Sequence, residues 1–121
     1  MSKQLNKQLR LIIGQAYETE LERELDALEA EFRRWRSQEI DAFELEARIH
    51  RFHNGPARKL WSTYVEGPTS MLSFNVAGAI VRGIVPRENV PTEVLRELEP
   101  AIESFRRVAG DGASNAHDGV E

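Results

Sequence analysis

The sequence predicts an all-α protein: a small bundle of about five helices with a long N-terminal helix and a disordered C-terminal tail. Three observations predict it. Residues 3–36 contain no proline and a single glycine, Gly14, and are rich in Leu, Glu, Ala, Gln and Arg, the strong helix formers. Apolar residues recur at steps of three and four along most of the chain. Proline and glycine fall in clusters between those stretches, at Asn54-Gly55-Pro56, at Gly67-Pro68 and through 83–91.

The first helix, residues 3–36, would measure ~50 Å at 1.5 Å per residue. A domain of this size has a radius of gyration of only about 13 Å. The helix therefore bends at Gly14, or extends past the body of its own domain and needs a partner. Its apolar positions run Leu5, Leu9, Ile13, Tyr17, Leu21, Leu25, Leu28, Phe32 and Trp35. The early steps of four drift around the helix, and only Leu21, Leu25, Leu28, Phe32 and Trp35 keep the alternation of a heptad seam. That seam is shorter than a stable leucine zipper requires, so the helix is expected to be clasped on different faces by other helices, from its own chain or a second copy.

Residues 37–41 interrupt the pattern. Asp41 and Glu44 have the spacing of a capping box, with Ile40 and Leu45 at the two positions of a hydrophobic staple. The second helix, 42–53, folds back antiparallel, pairing Leu45 with Phe32, Ile49 with Leu28 and Phe52 with Leu25. Residues 18–31 are strongly acidic, whereas 48–59 carry Arg48, Arg51, Arg58 and Lys59 without an acid. The two stretches are expected to neutralise each other, within one chain or between two. Asn54-Gly55-Pro56 reads as a helix stop and restart, glycine serving the left-handed cap and proline the next first turn. A third helix follows at 56–65. Thr69 or Ser70 can cap a fourth, 70–82, which is apolar nearly all round and is expected at the centre. Thr92 caps a fifth, 92–108, which Pro100 is expected to kink or split. Residues 109–121 have the composition of a disordered tail. The helices together form one domain, residues 1–108.

Composition narrows the function. The net charge of −4 disfavours a dedicated nucleic-acid binder, and the absence of cysteine excludes disulfide scaffolds, thiolate metal sites and cysteine nucleophiles. The most apolar stretch, 71–85, falls short of the roughly 20 residues of a spanning helix. No membrane span and a cytoplasmic location are expected. Lys3, Lys7 and Arg10 precede the first acid, Glu18, and read as a fraying basic helix start.

Three sets of residues bear on chemistry. Glu46, His50 and His53, spaced four and three, share one helix face and are the candidate metal ligands; histidines near a helix C-terminus also interact favourably with its dipole without any metal. No nucleophile turn, phosphate loop or dinucleotide pattern is present, so no cofactor is expected and enzyme activity is not. The stretch 33–59 is basic and flanked by Trp35 and Trp61, an arrangement suited to nucleic acid and to a small regulator such as an antitoxin, although tryptophans at apolar-face positions usually belong to a core. The leading expectation is a non-enzymatic interaction module: an adaptor, assembly factor or regulator with an unidentified protein partner, homodimeric through the first helix. Its interaction residues are Leu21, Leu25, Leu28, Phe32 and Trp35 on the seam, with Arg51, His53, Asn54 and Arg58 at the following turn.

Overall fold

The computed structural model describes residues 3–120, with side chains over 3–108, and every regular element among them is helical. These are α1 (Lys3–Arg36), α2 (Ala42–Phe52), α3 (Arg58–Tyr64), α4 (Leu72–Val81) and α5 (Thr92–Val120). The tail expected at 109–121 lies outside the residues whose side chains are described. No described helix is long and apolar enough to cross a membrane.

α1 runs unbroken through Gly14. It ends in a Schellman turn, with the Glu39 amide donating to the Arg34 carbonyl at 2.9 Å and the Gln38 amide to Trp35 at 3.0 Å. The left-handed position of that turn is taken by Gln38, at φ 67°, where glycine is the usual residue. A side chain there carries a backbone penalty of ~1 kcal/mol. Gln38→Gly is accordingly expected to raise stability by about 1 kcal/mol, read as a higher urea midpoint with an unchanged slope. The same turn recurs after α4 with glycine in place: Gly83 has φ 75°, its amide donates to Ile80 at 3.1 Å, and the Ile84 amide donates to Ala79 at 2.9 Å.

Asp41 caps α2 as expected, its Oδ1 accepting from the Glu44 amide at 2.8 Å. The return half of the capping box does not form, because the Glu44 carboxylate is drawn to Arg48 and Arg51. The expected stop and restart at Asn54-Gly55-Pro56 is also overturned. His53–Ala57 is a single π-helical turn containing Pro56, and it joins α2 to α3 in one helical run. Proline has no amide to donate, and its ring collides with the carbonyl four residues back in a regular α-helix; the wider π turn accommodates it. Thr69 and Ser70 belong to a 3₁₀ turn, Thr69–Met71, and the residue preceding α4 is Met71, which makes no side-chain cap. The carbonyl of Pro91 accepts from the Val94 and Leu95 amides, which makes Thr92 the first residue inside α5 instead of its cap. Pro100 does not split α5.

The chain groups into two compact units. One comprises Met1–Ala16 with Pro68–Glu121, and the other is Tyr17–Gly67. The first holds almost all of the core. Leu9 and Ala16 of α1, Val76 of α4, and Val94 and Ile102 of α5 are fully buried, with Ile84, Val85 and Val90 closing the connection. Helix α4 is central, as its all-round apolar surface predicts. It meets α5 closely at Gly78: a Cβ built there would lie 2.8 Å from Cε2 of Phe105, whose ring packs on Phe74 at 5.4 Å.

The second unit is a helical hairpin, the later part of α1 against the run α2–π turn–α3. Ion pairing of Arg48 with Glu31 and a hydrogen bond from Tyr64 to Glu20 fix it as antiparallel. Among its described residues Leu45 alone is buried.

Candidate interaction surface

The Tyr17–Gly67 hairpin has two unlike flanks. On α1, Glu24, Ala27 and Glu31 recur at steps of three and four and form one stripe; Leu21, Leu25, Leu28 and Phe32 form the next. On α2, Arg48 and Arg51 lie on one flank, and Ile49 and His53, four apart, on the other. A helix turning 100° per residue places Ile49 and His53 on the same side of the hairpin as Leu25 and Phe32.

The first flank is an ion-pair network. Arg48 bridges Glu31 and Glu44, 3.0 Å from the latter; Arg51 reaches Glu44 at 3.3 Å, and Arg34 spans Glu31 at 3.4 Å and Glu39 at 3.0 Å. The hydrogen bond to Glu44 raises the Arg48 pKa above the usual guanidinium value, and Glu31 adds to this against a lowering by desolvation. Beneath the pairs lies a groove of about 220 Å³ where Leu28 and Phe52 meet Glu24, Ala27 and Pro56. The apolar seam therefore differs from the expected Leu28–Ile49 and Leu25–Phe52 pairing: Leu28 and Phe52 line one groove, while Leu25 and Ile49 stay exposed. The charge expectation holds only in part. Arg48 crosses to the acidic stretch, but Arg51 pairs within α2. Among the described residues, Glu18, Glu22 and Asp26 form no ion pair, and neither do Arg58 and Lys59.

The second flank is apolar and open. Leu25 is 46% exposed and Trp61 47%, with Ile49 and Val65 also exposed and Leu21 and Phe32 half-buried; Trp35, near the end of α1, is exposed as well. Neither tryptophan is a core residue, contrary to the expectation from their spacing. Arg36 instead lies over the Trp35 ring, 5.4 Å from its centroid.

At the level of α3 this flank opens into a depression of about 310 Å³, lined by Tyr17, His53, Ala57, Arg58 and Trp61. Its wall is fixed from behind, where Tyr17 stacks on Tyr64 at 5.7 Å and 25° and the Tyr64 hydroxyl donates to Glu20. Sequence reasoning singled out His53 and Arg58 as interaction residues but placed Tyr17 only in the apolar stripe of the first helix and Glu20 only in its acidic stretch. Their spacing of three, facing an aromatic in the returning helix, was the available signal. The depression combines an aromatic and aliphatic lining with the Arg58 guanidinium, which suits an apolar side chain accompanied by a carboxylate.

The residues considered as metal ligands do not converge. His50 Nε2 and Glu46 Oε1 approach to 3.5 Å on an exposed face, while His53 lines the depression. Among the described residues no group of three or more His, Cys, Asp and Glu side chains is arranged to hold a metal. Asn54 lies exposed within the π turn. Comparison with protein-family models, curated proteins and solved structures finds no match to this chain.

Proposed function

We propose that the Tyr17–Gly67 unit is a non-enzymatic helical protein–protein interaction module, serving as an adaptor, assembly factor or small regulator in the cytoplasm. In its simplest form it pairs two copies of the chain through the later part of α1. One observation carries this reading: a unit of this size buries only Leu45, yet leaves Leu25, Trp35, Phe43, Ile49, Trp61 and Val65 exposed. Units this small are marginal on their own and commonly borrow surface from an oligomeric partner. A contiguous apolar flank bordered by charges is the usual form of such a surface. Two-fold pairing is the commonest way to cover it.

Leu25→Glu combined with Ile49→Glu is expected to abolish association while leaving helicity intact, because both side chains are exposed in the single chain. Native mass spectrometry and sedimentation at several concentrations would measure it. A monomeric wild-type protein across the micromolar range would overturn self-association, and an associating double variant would remove the flank from the interface.

A further inference from the structure

The depression lined by Tyr17, His53, Ala57, Arg58 and Trp61 is apolar within and edged by the Arg58 guanidinium, which among the described residues forms no ion pair. The same unit carries a complementary element. Leu25 is exposed on α1, with Glu22 three residues before it and Asp26 next to it, neither in an ion pair among the described residues. Within one chain the two elements cannot meet. Glu22 and Asp26 lie some 60–100° beyond Leu25 around α1, on the side turned away from α3. The hydrogen bond from Tyr64 to Glu20 sets α3 beside the start of this unit's α1 segment, so Arg58 to Trp61 stand at about the level of residues 22–26. A two-fold axis running along the apolar flank, parallel to the helices and between α1 and α3, would lay each copy's α1 over the other's α3 and bring Leu25 to the depression. Both sites would fill at once, the self-complementary condition of a closed dimer.

We infer that the depression receives Leu25 of a second copy of this chain, with Arg58 held against Glu22 and Asp26 of that copy. This rests on the self-association reading above and specifies its contact. Trp61, Tyr17 and Ala57 would cover the leucine, and the ion pairs would close around its edge. Desolvation by the apolar centre strengthens charge pairs that are weak when exposed. Electrostatic complementarity of this kind fixes the register of the two copies and not merely their affinity.

The test is a charge exchange between two variants of the full chain. Variant one carries Arg58→Glu; variant two carries Glu22→Arg and Asp26→Arg. Each alone is expected to be monomeric at concentrations where the wild type is dimeric, since every contact then opposes like charges. Mixed in equal amounts, they are expected to form a one-to-one heterodimer, visible by mass because both of its contacts are again complementary. Circular dichroism checks that each variant is as helical as the wild type. Arg58→Ala is a milder substitution, expected to weaken the dimer about tenfold, equivalent to about 1.4 kcal/mol. If the wild type dimerises but variant one still does so alone, or the mixture stays monomeric, the assigned contact is wrong while self-association stands. A monomeric wild type would overturn both.

Discussion

Leu98→Ala is expected to lower the unfolding free energy of the unit formed by Met1–Ala16 and Pro68–Glu121 by about 3 kcal/mol. Leu98 is 1% exposed and lies on the face of α5 that also buries Val94 and Ile102. Truncation removes its transfer free energy and leaves a cavity that helices on either side close only partly. The size of the effect follows from the quality of this core, where Leu9, Leu98, Ile102, Val76 and Val94 are the largest fully buried side chains. Urea unfolding followed by circular dichroism would measure it. A loss under 1 kcal/mol would mean that α5 does not pack as described.

Leu45→Ala is the counterpart in the hairpin, with an expected loss of about 2 kcal/mol. The consequence differs in kind. Leu45 is the one described residue of Tyr17–Gly67 that is buried, and the rest of that unit is tied by ion pairs and half-buried side chains. Exposed pairs contribute at most about 1 kcal/mol each, so they cannot replace the lost packing. The substitution should therefore open the hairpin locally before the remainder unfolds. Hydrogen exchange is the suitable readout: amides of α2 and α3 should lose protection while those of α4 and the first turns of α5 keep theirs. Uniform loss along the chain would show that the two units unfold together.

The helices were largely legible in the sequence, for local reasons. The proline-free run of 3–36, the aspartate before α2 and the apolar density of α4 each specify backbone conformation within a few residues. What escaped was set by geometry between helices. Gly55-Pro56 has the chemistry of a helix stop, and only the helical backbone on both sides reveals that it is spanned by a π turn. Trp35 and Trp61 have core spacing, but a hairpin of two helices has too little interior to enclose them. The acidic and basic stretches were visible as complementary, yet the arginines found closer acids within reach: Arg51 took Glu44, and Arg58 and Lys59 were left over. Glu46, His50 and His53 share a helix face by count, but the winding changes at His53, where the π turn begins. Contact among Tyr17, Glu20 and Tyr64 depends on the alignment of two helices, which residue spacing alone does not determine.

The π turn at His53–Ala57 has an arithmetic consequence. Tyr64 follows Phe52 by twelve residues, and at 100° per residue an ordinary α-helix would carry it about 120° away from the side on which Phe52 meets α1. One surplus residue absorbed in the wider turn leaves eleven effective steps, which bring Tyr64 back to within about 20° of that side. There it can reach Tyr17 and Glu20. The same shift swings Trp61 and Arg58 from the rear of the hairpin to its open flank. The depression thus depends on the one additional residue that the π turn takes up. Removing one residue from 53–57 would leave the composition of the chain almost intact and rotate the site out of being, and an insertion of that size in a plain helical hairpin is a one-step route by which such a surface can arise.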